Sequence, residues 1–462
     1  MQLNMASQIK WYLYTSINNY MNGNEKLTSD SSGDEKSPAI NMDTFCVAPF
    51  IHQSTKTDGS VKVCCRAKGR VASLTDMYGE EGTNLVDAWN WKKIRDLRLD
   101  LCRGVKNDMC KVCWDHESNN VESMRQGINA NLKRKIKALT RAKRAVENNG
   151  YLEDKPFWFE FKLNNNCNLK CRMCSPVDSS AWFKDHKLIK HIKSNFGETY
   201  EDYVRDLGLE DKALLNLYNE KNFWESIEDW TSIGNDFQFA GGEPLYDADH
   251  YRVLETLKNS GRDLSKIDLT YATNLTVLRT KKYSVFDYWK DYKQINLGFS
   301  IDGPPGINEY IRGGSDIEDI KRNVLEIKSK LNNVQLRGKF TVQALNIYYL
   351  PELTDWLYDI GVTLLGNSFV WYPDHLDARI WTGDARKEII DVYENKINSL
   401  RNDRIIAKKT LTSILNFLKS KEMYTEERWN RFIEWNKILD KSRNESYTNF
   451  KFLERYMNNY ER

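Results

Sequence analysis

With 462 residues, a net charge of +3 and 29% charged residues, the chain is long enough for two or three domains and lacks the basic excess of a dedicated nucleic-acid binder. No apolar run approaches the about 18 residues of a membrane helix. The opening residues, MQLNMASQIKWYLYTSINNYM, contain neither an apolar core nor a small-residue cleavage site, so a cytoplasmic protein is expected. Its nine cysteines fall in two clusters, six between residues 46 and 113 and three between 167 and 174. In a reducing compartment, clusters of this kind serve metal or redox chemistry rather than disulfides.

Residues 1–42 contain the Ser/Asp/Gly-rich run NGNEKLTSDSSGDEKSPAIN and predict a linker or disordered arm. Residues 43–130 follow as a small cysteine-rich module. Within it, TKTDGSVKVCC reads as a hairpin with a D-G turn that delivers Cys64 and Cys65 at its end. Cys110 and Cys113 form a CxxC knuckle, with Trp114 and Glu117 behind it. A hairpin and a knuckle can converge four thiolates on one metal centre. Cys102 lies in the basic amphipathic stretch WKKIRDLRLDLCRG and is expected to pack, as surface or packing roles are expected for His52 and His116. Residues 131–155, with Lys133, Arg134, Lys135, Lys137, Arg141, Lys143 and Arg144, predict a solvated helical linker rather than an RNA-contacting face.

From Pro156 the pattern changes. FWFEFKLN (157–164), DFQFAGG (236–242), KIDLTYATN (266–274), QINLGFSIDG (294–303), LRGKFTVQAL (336–345) and TLLGNSFVWY (363–372) are strand candidates, mostly separated by helical periodicity such as IEDIKRNVLEIKSKL. Repeating strand–helix units argue for a parallel sheet with right-handed crossovers. Six units over 156–377 predict an α/β fold, a partial (β/α)6 TIM-type barrel, whose reactive groups gather after the C-terminal ends of strands. Residues 378–462 predict a helical extension that packs Trp429, Phe432, Trp435, Leu439 and Phe450 against the barrel.

The loop NNNCNLKCRMCSP follows the first of these strands and holds Cys167, Cys171 and Cys174. Thiolates suit zinc, copper(I) and iron–sulfur clusters. Structural zinc takes four closed ligands, and no histidine completes this set. Three thiolates therefore suggest an iron–sulfur cluster with one iron kept for another ligand. CxxxCxxC after the first strand of a six-unit barrel resembles the radical S-adenosylmethionine (radical SAM) superfamily. The resemblance implies that the three cysteines hold three irons of a 4Fe–4S cluster and that SAM chelates the fourth. It also implies reductive SAM cleavage to a 5′-deoxyadenosyl radical that abstracts hydrogen from a substrate, with electrons from a flavodoxin- or ferredoxin-like donor.

Further segments resemble the family in order along the chain. FAGGEPL places Gly241, Gly242 and Glu243 where the family contacts the SAM amino group. YATNLT supplies Asn274 and GFSIDG supplies Ser300 and Asp302, near positions used on the ribose and methionine ends. YIRGGSDIEDIKRNV makes Arg312 a candidate for the SAM carboxylate, and Asn346 ends the fifth strand facing the same site. Met173 stands where the family usually has an aromatic residue, and adenine contacts stay unassigned.

The first cysteine group resembles the SPASM/twitch modules, which carry auxiliary 4Fe–4S clusters, although here it precedes the barrel. The resemblance implies Cys46, Cys64, Cys110 and Cys113 as ligands, with Cys65 the rival for Cys64, and a peptide or protein side chain as substrate class. A four-cysteine zinc site remains the alternative for this module. A non-enzymatic iron–sulfur or zinc protein remains the alternative for the whole chain.

Overall fold

Every one of the six alternating segments forms a strand in the computed structural model, which describes residues 39–57, 61–68, 87–118, 122–192, 221–370 and 372–458. The arm expected over 1–42 lies almost entirely outside these residues, as does the D-G turn at Asp58 and Gly59. In chain order the strands are β1 (His52–Thr55), β2 (Val61–Lys62), β3 (Trp158–Phe161), β4 (Lys170–Cys171), β5 (Asp236–Phe239), β6 (Asp268–Thr273), β7 (Gln294–Ser300), β8 (Arg312–Gly313), β9 (Val334–Val342) and β10 (Thr363–Phe369). The large sheet runs β10-β9-β7-β6-β5-β3-β1-β2, and every neighbouring pair from β10 to β1 is parallel. The six expected strands thus stand side by side in sequence order, within an α/β fold.

Period-2 alternation decides the two faces. Phe159 and Phe161 stack on Trp230 of the helix Lys221–Ile233, and Phe340 and Val342 join the same outer core. The helix Ile317–Lys330 shows the local logic. The Asp316 side chain caps its start, Glu318 and Asp319 lie in its first turn, and Lys328 and Lys330 lie in its last. Ile317, Ile320, Val324 and Ile327 form the buried stripe. Burying each such side chain contributes about 1.5–3 kcal/mol.

β1 was not expected as a member of the barrel sheet. Its residues, His52, Gln53, Ser54 and Thr55, are polar yet all buried, because β1 pairs in parallel with β3 through His52↔Trp158 and Ser54↔Glu160. The cysteine-rich segment also reaches the far end of the series, where the His116 ring meets Phe369 of β10 edge-on at 6.5 Å. It therefore spans from the first strand of the six to the last. His52 packs on Trp158 at 4.2 Å, so both histidines serve packing. Cys102 is buried beside Phe45 and Val47.

The basic stretch forms the helix Leu132–Glu147, which buries Ala138, Ala142 and Ala145. Its cations are not all solvated. Arg134 lies over Trp158 at 4.0 Å and pairs with Asp236, and Arg141 donates to the Phe50 carbonyl. After β10 come the helices Gly383–Ser399, Ile405–Lys419, Glu426–Arg443 and Lys451–Asn458. Trp429, Phe432, Trp435 and Leu439 are buried in the barrel's outer core, and Phe450 packs partly buried against it. No helix among the described residues is long and apolar enough to cross a membrane.

Candidate functional site

The three-cysteine loop is held by its own amide side chains. Asn164 accepts from the Asn166 N–H at 2.9 Å, Asn165 donates to the Pro176 carbonyl at 2.7 Å, and the Ser180 N–H returns to the Asn165 carbonyl at 2.7 Å. These bonds replace the strand ladder that ends at Phe161. Further on, β4 pairs with β8 and sets Cys171 opposite Arg312. The Trp182 indole donates to the Cys171 carbonyl at 2.7 Å, and the Cys174 N–H donates to the same carbonyl at 2.9 Å.

The thiols of this loop act on one another. The hydrogen bond from Cys174 draws the Cys171 thiol down to about 7, with help from Arg312, and the same bond, with burial, holds Cys174 high. Burial, then Cys171 and Glu243, push Cys167 up to about 12. Cys167 and Cys174 thus keep their protons until a cation displaces them, while Cys171 loses its own readily. The donor set therefore fits a soft, multiply charged iron centre. No three Cys, His, Asp or Glu side chains among the described residues close around one point as a single metal ion requires. A four-iron cluster differs, since each thiolate takes its own iron.

Gly241 and Gly242 lie beneath the loop with φ of 79° and 52°. A Cβ on Gly242 would stand 2.4 Å from the Asn166 carbonyl oxygen, so only glycine allows this approach. The Glu243 N–H donates to that same carbonyl at 2.8 Å. The Glu243 carboxylate is 1% exposed and accepts from the Leu245 N–H, the Thr273 hydroxyl and the Asn274 N–H. Burial raises the pKa of this carboxyl and these three donors oppose the rise. In this geometry Glu243 ties β5 to the end of β6. Asn274 in turn donates to Asn168 of the cysteine loop at 2.9 Å.

Asp302 is buried and accepts from Arg312 at 2.8 Å and from the Thr341 N–H at 2.8 Å. Asn346 donates to the Asp302 carbonyl at 2.9 Å. Burial works against the Arg312 charge, but Cys171 and Asp302 outweigh it and hold the guanidinium protonated. Its buried Nε has no hydrogen-bond partner. An unpaired cationic donor beside the thiols suits the carboxylate of a bound cofactor. Ser300 ends β7 half-buried, and Met173 packs partly buried beside Cys174.

Cys46, Cys64, Cys110 and Cys113 line one cavity together with Arg66 and Met109. Burial, then Cys110 and Cys113, hold the Cys46 thiol far above its usual value, and burial with Cys113 pushes Cys110 up to about 12. Cys65 does not line this cavity, although Met124, which it touches, does. Its thiol meets the Met124 sulfur at 3.6 Å and interacts with Glu160, Lys162 and Lys339 of the barrel. Both cysteines lie in the turn beyond β2, where no periodicity in the sequence could separate them.

Two arginines escaped sequence reasoning. Arg172, between two of the cysteines, is fully buried and donates to the Tyr310 carbonyl, Asn436, Asp440 and Glu445. Arg125 pairs with Glu117, donates to the Phe45 carbonyl and lies over Trp114 at 4.9 Å, bracing the four-cysteine cavity. In sequence each reads as one more basic residue.

Residues 161–356 match the family model described as Radical SAM superfamily, a segment that begins at the last residue of β3 and includes all three cysteines of the loop. No curated protein matches the chain. Among solved structures, native anSMEcpe with bound AdoMet is 18% identical over 52% of this chain and 61% of that one, with a TM-score of 0.32. Native anSMEcpe with bound AdoMet and the Cp18Cys peptide is 14% identical over 53% and 60%, with a TM-score of 0.33. TYW1 with a lysine-pyruvate adduct bound is 14% identical over 50% and 70%, with a TM-score of 0.26. The chain spans about three fifths of the length of the anSMEcpe structures.

Proposed function

We propose that this chain, through its radical SAM domain, is an enzyme that cleaves SAM reductively and abstracts hydrogen from a substrate. One observation carries the reading: a CxxxCxxC loop after the first of six parallel strands closes on Gly242, where a Cβ would clash with the Asn166 backbone, inside the segment matching the superfamily model. When bound, a 4Fe–4S cluster would supply the one electron needed to cleave SAM to methionine and the 5′-deoxyadenosyl radical. Cys167, Cys171 and Cys174 would hold the cluster. Arg312 offers its unpaired Nε to the SAM carboxylate, while Asp302 and Asn346 fix its orientation. Gly241 and Gly242 allow close backbone approach, and Glu243, Asn274 and Ser300 complete the SAM side of the site.

The finer reading places the chain among SPASM/twitch-type proteins. Cys46, Cys64, Cys110 and Cys113 would hold an auxiliary 4Fe–4S cluster, and four committed thiolates suit electron transfer from the product radical better than direct substrate binding. The external donor would be flavodoxin- or ferredoxin-like, the setting the cytoplasm, and the substrate a peptide or protein side chain. Anaerobic reconstitution followed by electron paramagnetic resonance tests the reading. The dithionite-reduced protein should show a cluster signal that shifts when SAM is added, and Cys174→Ala should abolish the shift. A signal indifferent to SAM would leave an electron carrier.

A further inference from the structure

Two consecutive glycines have more backbone freedom than any other pair, so Gly241 and Gly242 keep their turn only where neighbours impose it. The cysteine loop sets Gly242, whose would-be Cβ meets the Asn166 carbonyl. Gly241 is set from another quarter. A Cβ there would stand 2.9 Å from Cβ of Lys162 and 3.2 Å from Cγ2 of Thr57. Thr57 belongs to the N-terminal segment, just past the end of β1, and is 5% exposed. Gly241 itself stays partly exposed, so it is packed on one side and open on another.

This contact follows from the sheet. β1, β3 and β5 are parallel neighbours, so their C-terminal ends lie side by side. The Lys162 N–H donates to the Thr55 hydroxyl at 3.2 Å, and the Ala240 N–H donates to the Phe161 carbonyl at 2.9 Å. Just beyond these bonds, Thr57 and Gly241 meet beside the stem of Lys162. A β-branched threonine holds its methyl in few rotamers, which makes it a stiffer support than a lysine stem. The other arm of the same hairpin leads to the four-cysteine cavity. β2 pairs with β1 through Ser54↔Lys62 and Thr55↔Val61. His52 Nδ1 donates to the Val63 carbonyl at 2.7 Å, and the Lys62 ammonium donates to the Ala67 carbonyl at 2.5 Å. The Ala67 N–H in turn donates to the Cys64 carbonyl at 3.1 Å. One hairpin thus braces the glycine turn near its tip and the Cys64 turn at its base.

We infer that Thr57 is a positioning residue for SAM: its methyl fixes Gly241 from the side of the N-terminal segment, which thereby completes the cofactor site. The inference rests on the proposed reading of Gly241 and Gly242 as SAM contacts. Thr57 acts through Gly241 and not by touching SAM. Without the methyl, a gap opens beside Gly241, and the glycine pair regains freedom that its packing had removed. The turn is then less often in the arrangement that receives SAM, which lowers affinity without any SAM contact being deleted.

The test is SAM binding to the anaerobically reconstituted protein by equilibrium dialysis, with the SAM-induced change in the electron paramagnetic resonance signal as a second readout. Thr57→Ser keeps the hydroxyl and loses the methyl, and should weaken binding by about threefold or more. Thr57→Val keeps the shape and loses the hydroxyl, and should bind SAM within about twofold of the parent. Thr57→Ala also lacks the methyl and replaces the serine variant should that one fail to fold. Equal affinity in the parent and the methyl-deleted protein would overturn the role. So would a loss in Thr57→Val as large as in Thr57→Ser, which would assign the effect to the hydroxyl. A parent protein that binds no SAM would sink the radical SAM reading itself, and this role with it.

Discussion

Gly242 precedes the carboxylate of the GGE segment and lies 2.4 Å, measured from a would-be Cβ, from the carbonyl of the residue before Cys167. Gly242→Ala therefore adds a steric clash to the strain of a positive φ, and a loss of about 1–3 kcal/mol in urea denaturation is expected. Gly261→Ala is the control, since its φ is 70° but nothing lies within 4 Å. Equal costs at the two sites would remove the claim that the glycine is needed for close approach. Five residues on, burial raises the Asp247 carboxyl to about 6, while hydrogen bonds from Asn164 and Asn166 oppose the rise. The folded chain holds this proton more tightly than the unfolded chain, whose carboxyl titrates near about 3.9. The stability it contributes is thus fully present below about pH 4 and is lost as pH rises through about 6. Asp247→Asn should stabilise the protein at pH 7, by at most about 3 kcal/mol, and the gain should vanish near pH 4. Thermal or urea unfolding across that range checks the sign, and no gain at pH 7 would contradict it.

At the scale of elements, the C-terminal helices are more than a cover for the barrel. Arg172 joins the cysteine loop to the helix Glu426–Arg443 through Asn436 and Asp440, with Glu445 just beyond it. Its guanidinium lies 3.7 Å over the Tyr310 ring. Arg172→Met removes the cation and leaves two acids facing a buried site, at an expected cost of about 3–5 kcal/mol. Arg172→Lys should not rescue it, because a single ammonium cannot reach the same set of acceptors. Denaturation midpoints for the two variants decide the matter; a shift under 1 kcal/mol in both, roughly the value of an exposed pair, would mean that the network is idle. The six barrel strands were legible because each buries one apolar face under helices, which leaves an alternating pattern. β1 was not, because HQST has no apolar face and is buried by lying between β3 and β2 in the sheet. Arg172 was illegible for a related reason: its partners lie more than 260 positions away at Asn436 and Asp440.

The whole molecule joins two cysteine groups through one sheet. β1 belongs to the N-terminal segment and β3 to the barrel, and His116 reaches β10 at the other end. The order of the cysteines along the chain was readable, and so was their division into a loop of three and a hairpin with a knuckle. The choice between Cys64 and Cys65 was not, since it depends on the course of the turn that follows β2. Cys64 lines the cavity with Cys46, Cys110 and Cys113, whereas Cys65 does not line it and its thiol meets the Met124 sulfur at the cavity's edge. Iron analysis after reconstitution should therefore give about eight irons per chain in the parent protein and in Cys65→Ala, and about four in Cys64→Ala. Zinc at the N-terminal group, or iron lost from the Cys65 variant instead, would refute the assignment.

The most direct test of SAM cleavage at the three-cysteine loop is 5′-deoxyadenosine release by the reconstituted, dithionite-reduced protein, quantified by chromatography with and without Cys171→Ala. Release from the parent protein that disappears in Cys171→Ala, with the fold intact by circular dichroism, is the expected result. Intact SAM after prolonged incubation of a fully loaded protein, or equal release from the variant, would contradict it.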